Sequence, residues 1–391
     1  MFLKESIVFP SVGRSNYRIP TLVIDKHGTA YAFCNDRHDS LADHAHEMTV
    51  VCARKRPGRE WEPVRVISSL PGWQCMIGSA VYDAETDEVM CSCKRIPVAR
   101  NEFKAYTAEE EAAMAACAAE RVRQAGVQPG QIMVYTRDGG ETWSERPLPV
   151  QPASFIHWDG THALLDGFCH GAASGIQLQF GAQKGRLLCP SRTQVGTYST
   201  WDGLRQCCYN NAIYSDDHGM TWHASTPVQL ATGEGTLIER PDGSILYNSR
   251  AFHFDQLRRL AVSHDCGESY GEFSTDDFLR ETIDSGCNAS LLRVDRSDLR
   301  DATRLPAGAD GLTLFANPRS TVRENMSICL SYDSGRTWSL VKTVYPGACV
   351  YSSLAFSRAE QKFILLYENG KAHSHEYGIS AAEFDIDWLL N

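Results

Sequence analysis

An all-β fold of repeated four-stranded units is predicted for this chain, on two observations. One eight-residue pattern, S/T-x-D-x-G-x-T-W, recurs along it, and alternating apolar runs long enough for several strands lie between the copies. SYDSGRTW at 331–338 is the clearest copy, set between alternating runs at 326–330 and 339–344. Two such runs joined by an Asp/Ser/Gly segment read as a β-hairpin. Asp333 can accept backbone N–H groups inside the turn, Gly335 can take φ > 0, and Trp338 can tuck its ring beneath the loop.

TRDGGETW at 136–143 and SDDHGMTW at 215–222 fit the same template. SHDCGESY at 263–270 is weaker, and 54–61 keeps only Gly58 and Trp61. From Thr136 onward the copies are 79, 48 and 68 residues apart, so the unit keeps its design while its connections vary. This is the Asp-box, and its spacing implies the blades of a β-propeller. A propeller closes on itself, so residues 1–391 are expected to form one domain.

Composition narrows the function classes. The chain carries 38 Lys+Arg against 48 Asp+Glu, a net charge of −10, which argues against nucleic acid as a partner; any anion site has to be built locally. No run of 18 apolar residues suggests a membrane span. The first residues, MFLKESI, place a charge pair where a signal peptide would carry its apolar stretch. Fourteen cysteines without a CxxC pair suit buried thiols in a reducing compartment, so a cytoplasmic location is expected; a leader already removed would reverse that to secretion.

Strand counting places the chemistry. The runs 19–24 and 29–33 flank a turn at 25–28, which puts Arg18, Asn35, Asp36 and Arg37 at the end away from the turn. Asp43 lies in the loop at that same end. A hairpin over 79–93 places Met76 on this rim, together with a long connection starting near Arg95. Within the connection, Thr107 as N-cap, Glu110 three residues on, and Gly126 with Pro129 as the stop predict a helix over 107–125. It is a candidate lid or a shield for the blade edge. Further hairpins are read over 175–190 and 234–250. Glu234 and Arg250 stand at nearly equal distances from the turn at 241–242 and so meet at its far end. Arg323 begins the strand leading into the last Asp-box, and Tyr351 begins the strand after the next connection. Arg18, Asp43, Glu234, Arg250, Arg323 and Tyr351 therefore converge on the rim opposite the boxes. Three arginines on one rim suit a carboxylate ligand, because guanidinium forks match its geometry.

In these rim segments the sequence resembles the sialidase (neuraminidase) family of six-bladed propellers. YRIP at 17–20 resembles the family's first-arginine motif, carried here by Arg18. EGTLIE at 234–239 with NSR at 248–250 resembles the segment of the catalytic glutamate and second arginine. NPRSTVR at 317–323 resembles the third-arginine segment, with Arg323 preferred to Arg319 by its distance to the next strand. YSSLA at 351–355 looks like the nucleophile segment, and LYE at 366–368 like the motif whose glutamate braces the first arginine.

The resemblance implies an exo-α-sialidase that releases terminal α-linked sialic acids from glycans with retention. Tyr351 would be the nucleophile, Glu234 its base, and Asp43 the acid/base. Arg18, Arg250 and Arg323 would bind the carboxylate, supported by Glu368, Arg37 and Met76, with no metal or cofactor. A neutral tyrosine suits a substrate whose anomeric carbon itself bears a carboxylate, since a carboxylate nucleophile would have to approach that charge. Alternatives are the same chemistry on KDN or Kdo, or a glycan-binding propeller without turnover. Asn35 stands where family members often carry Glu, which leaves open the polarity near the sugar's 4-position. His44, His46 and Glu47, and again His373, His375 and Glu376, are spaced as partial metal ligand sets, but neither has further ligands in evidence.

Overall fold

The computed structural model describes residues 3–167, 173–283 and 285–391. Strands dominate, in the arrangement of a β-propeller whose consecutive strands pair antiparallel. Three sheets have four strands each: Tyr17–Ile24 to Arg65–Ser68, Gln74–Asp83 to Ser144–Pro147, and Thr232–Glu239 to Gly271–Arg280. A six-stranded sheet is centred on Leu187–Gln194 and Cys208–Ser215, and a seven-stranded sheet holds the rest of the C-terminal part. In that last sheet the N-terminal strand Leu3–Pro10 pairs with the C-terminal strand Gly378–Phe384, so the two ends of the chain are joined by hydrogen bonds.

The first two strands of two of the four-stranded sheets are buried along almost their whole length. Tyr17–Ile24, Ala30–Asp36, Thr232–Glu239 and Ile245–Ala251 have scarcely a half-buried residue among them. Such strands read as near-continuous apolar runs with small polar residues admitted where they are bonded. The described cysteines are thiols, all but Cys117 buried.

The Asp-boxes fold as their residue types require. Asp333 accepts from the N–H groups of Arg336 (3.1 Å) and Thr337 (2.8 Å) and from the Thr337 hydroxyl (2.6 Å). Asp138 and Asp217 repeat this pattern. In the weak copy, Asp265 still accepts from the Ser269 N–H at 2.9 Å. Gly335 takes φ 78°, as the turn demands. Trp222 is completely buried, with its indole N–H on the Gly219 carbonyl at 3.1 Å.

The helix is Ala108–Ala125, with Thr107 and Glu110 forming a capping box and Gly126 closing it in the left-handed region. None of its residues is buried. Arg121 ties it to the body through the carbonyls of Gly72 and Pro97. Two elements have no clear signal in the sequence: the short helix Trp201–Cys207 and the hairpin Ala153–Ile156 with His162–Leu165. Two strand starts differ from those expected. Tyr351 does not begin a strand; it lies inside the 19-residue strand Ser339–Ser357. The first half of that strand pairs with Glu324–Ser331 and the second half with Lys362–Gly370, so a single strand serves two neighbours. Likewise Arg323 stands one residue before its strand, Glu324–Ser331.

Candidate active site

Three of the predicted residues sit where strand pairing slips. The register shifts between Arg18 and Thr21, between Thr232 and Gly235 around Glu234, and between Cys349 and Ser352 around Tyr351. A bulge inserts a residue, bends the strand and re-aims a side chain. Arg18 and Glu234 lie near the starts of their strands and Tyr351 lies within Ser339–Ser357, and Ile19 takes φ 65° within the first shift.

The re-aimed groups meet. The Tyr351 hydroxyl donates to Glu234 Oε1 at 2.6 Å, while Arg250 Nη1 donates to Glu234 Oε2 at 2.7 Å and to the Tyr351 oxygen at 3.0 Å. All three residues are buried, at 6–7% exposure. Arg250 is fixed from behind by Ser285, its Nε on the carbonyl at 2.8 Å and Nη2 on the hydroxyl at 2.9 Å. Burial opposes the charge on Arg250, yet Glu234, Tyr351 and Cys287 hold its pKa well above the ordinary value. Burial and the Glu234 carboxylate push the Tyr351 phenol far up, against the pull of Arg250 and Arg323. The phenol is therefore neutral and needs a base before it can act as a nucleophile.

Arg18 lies with its guanidinium carbon 5.6 Å from the centre of the Tyr351 ring. Its Nε donates to Glu368 Oε2 at 2.9 Å, and the Ile19 N–H donates to Oε1 at 2.7 Å. Glu368 is completely buried. Burial alone would raise its pKa, but Arg18 first, then His375 and the Ile19 N–H, bring it down to about 2. Arg323 is half-buried, with Nη2 on the Gly286 carbonyl at 3.2 Å. It is close enough to influence both Tyr351 and Cys287.

The depressed pKa of Glu368 makes a stability prediction. Between about pH 4.5 and 2 the unfolded chain takes up this proton and the folded chain does not, so stability rises with pH across that window and the contribution is complete above it. The shift corresponds to about 3 kcal/mol. Urea midpoints measured from pH 5 to pH 2.5 should fall more steeply for the wild type than for Glu368→Gln; parallel curves would refute the assignment.

Arg37 and Asp43 stand beside this group. Asp43 is the exposed member, its side chain 85% accessible, with Oδ1 2.7 Å from Arg37 Nη1. Arg37 is buried and also donates to the Leu41 carbonyl at 2.7 Å, so it carries both the loop and the carboxylate. Burial and the charge of Arg18 lower the Arg37 pKa, with Asp43 and Glu368 opposing. Asp43 in turn acts electrostatically on Arg18 and Tyr351.

Met76 is half-buried in Gln74–Asp83. Asn35, the register partner of Arg18, explains its placement. The Asn35 amide donates to the carbonyls of Thr49 (3.0 Å) and Cys75 (2.8 Å), and its oxygen accepts from the Ile77 N–H (3.0 Å). These bonds bracket Met76 on both sides and need a donor and an acceptor in one side chain, which a carboxylate lacks. Sequence reasoning missed the supporting roles of Ser285, Gly286 and His375. No local pattern marks these roles: Ser285 and Gly286 act on residues 35 and 37 positions away, and His375 reaches Glu368 because its loop folds back on the strand end.

A separate cavity of about 810 Å³, lined by Asp25, Glu85, Glu239 and Arg358 among others, opens at the turn end of the inner strands and contains none of these residues.

Comparison with known proteins bears on the family and the fold. A family model described as a BNR repeat-like domain matches residues 105–364. The chain is 30% identical over 392 residues to a sialidase of Micromonospora viridifaciens, covering 96% of this chain and 52% of that protein. It thus spans about half the length of that relative. It is 26% identical over 400 residues to human Sialidase-3, covering 90% of this chain and 86% of that one. Among solved structures, a Ruminococcus gnavus intramolecular trans-sialidase superposes with a TM-score of 0.73 at 16% identity, over 99% of this chain and 98% of that one. The Hadza microbial sialidase Hz136 superposes at 0.70 with 21% identity, over 96% and 66%. The repeats and the propeller arrangement define a BNR-repeat protein. More narrowly, the chain belongs to the sialidase family.

Proposed function

We propose that the chain is a retaining exo-α-sialidase acting on terminal sialic acids of glycoconjugates. The observation that carries this reading is the buried triangle of Tyr351, Glu234 and Arg250, with its 2.6 Å phenol–carboxylate bond. Glu234 takes the phenol proton as the Tyr351 oxygen attacks the anomeric carbon. Asp43, exposed at the rim, gives a proton to the departing glycosidic oxygen. Water activated by the same Asp43 then displaces Tyr351, which recovers its proton from Glu234. Two displacements at one carbon return the original configuration. Arg18, Arg250 and Arg323 hold the substrate carboxylate, and Arg37 keeps Asp43 within reach. Met76 belongs to the wall facing the sugar's acyl substituent.

The same reading counts six blades in one closed body over residues 1–391. The three four-stranded sheets give three, the six-stranded sheet gives one with extra edge strands, and the seven-stranded sheet divides at Ser339–Ser357 into two.

Matched fluorogenic α-glycosides of Neu5Ac, KDN and Kdo test the function. Release is expected from the Neu5Ac glycoside, with the α-anomer appearing first by NMR. Release of KDN or Kdo alone would redirect the substrate, initial appearance of the β-anomer would remove the tyrosine mechanism, and no release from any of the three would refute a hydrolase.

A further inference from the structure

We infer that His375 is a positioning residue for the carboxylate clamp, acting through Glu368 on Arg18; this rests on the sialidase reading of that clamp. His375 Nδ1 lies 3.1 Å from Glu368 Oε2, the same oxygen that receives Arg18 Nε at 2.9 Å. The approach is off the axis of an aligned hydrogen bond and is a close polar contact, with the imidazole nitrogen set against the carboxylate oxygen. Glu368 is thereby held on three sides: the Ile19 N–H on one oxygen, Arg18 and His375 on the other.

A buried carboxylate held by fewer partners could swing about its last torsion and let the guanidinium drift. Arg18 stands at the edge of a bulge beside its register partner Asn35, and the Glu368 carboxylate fixes where its guanidinium points. The pull on Glu368 is mutual, as its depressed pKa records, with Arg18 the larger contributor and His375 the next side chain.

The loop that presents His375 is built for the purpose. Glu376 accepts the backbone N–H groups of Lys371 (2.8 Å) and Ala372 (2.6 Å), which closes the turn after Lys362–Gly370. The Tyr345 hydroxyl holds the Gly370 carbonyl at 2.8 Å. A side chain at Gly370 would strike the His373 carbonyl, so the loop folds back tightly onto the strand end that carries Glu368. The imidazole itself is largely buried, its side chain 18% exposed, with Ser374 Oγ 3.4 Å from Nε2. Among the described residues His373-x-His375 belongs to no cluster of three or more possible metal ligands, whereas His375 has Glu368 at contact distance.

The test is a double-mutant cycle on sialoside hydrolysis and on binding of the 2,3-unsaturated sialic acid analogue by calorimetry. His375→Ala is expected to raise KM about three- to tenfold, with kcat within about twofold, and to weaken the analogue by the same factor as KM. In a Glu368→Gln background the same change should add nothing, because the carboxylate that His375 braces is gone. His375→Gln, whose amide can donate toward the same oxygen, should recover most of the loss. A merely structural role would lower stability equally in both backgrounds and leave the KM-to-kcat ratio untouched. If His375→Ala melts below assay temperature, His375→Leu fills the space without donating and carries the cycle.

Equal losses in both backgrounds, or an unchanged KM in an active enzyme, overturn the role of His375 alone. A wild-type protein that neither turns over a sialoside nor binds the analogue overturns the functional reading and this inference with it.

Discussion

Replacing Tyr351 by Phe is expected to lower kcat for sialoside hydrolysis at least about a thousandfold, the scale on which loss of a nucleophile is felt. Binding of the unsaturated analogue should change by no more than a few-fold. The substitution removes one oxygen from a buried group and leaves its ring beneath Arg18. Glu234 keeps its bond to Arg250, so the arginine clamp stays assembled while the base loses the proton it would accept. Stopped turnover with retained binding separates chemistry from recognition. Normal turnover would take Tyr351 out of the mechanism, and loss of both together would assign it to the architecture of the site.

Arg250→Leu should have the second large effect, on two observables. Removing one partner of a buried ion pair leaves the other as an uncompensated charge, which costs about 3–5 kcal/mol. Glu234 would lose its arginine partner, and the Ser285 carbonyl and hydroxyl would lose theirs as well. Activity should fall with it, because Arg250 also holds the Tyr351 oxygen. The second substitution that separates the two effects is Glu234→Gln. Combined with Arg250→Leu it should recover much of the lost denaturation midpoint and none of the activity. An Arg250→Leu protein as stable as the wild type would show that Glu234 finds another counter-charge, and the triangle would lose its energetic basis.

Much of this site is legible in the amino-acid sequence. Turn chemistry is local, so the Asp-boxes announce which strand ends face away from the site, and counting residues to the opposite ends collects Arg18, Glu234, Arg250 and Tyr351 on one rim. The capping box at Thr107 and Glu110 is equally local and marks the helix to within a residue. Strand boundaries are less secure. The run from 339 to 357 reads as two strands with a connection because its alternation breaks, yet the backbone continues through a bulge and changes partners. Asn35 shows the limit for single residues. As a sequence feature it is a departure from a family pattern, whereas its three hydrogen bonds make it a strap holding the residues on either side of Met76 against Ala30–Asp36, the strand paired with that of Arg18.

The amino-acid sequence by itself thus determined the repeat, the hairpin turns and the rim on which the ionisable residues gather, because each depends on neighbours a few positions away. Only the tertiary structure decided where those side chains aim. Arg18 is oriented by a carboxylate 350 positions away, and Glu234 meets Tyr351 across 117. All three ride on bulges, where pairing between strands, and not alternation along one strand, sets the direction of a side chain.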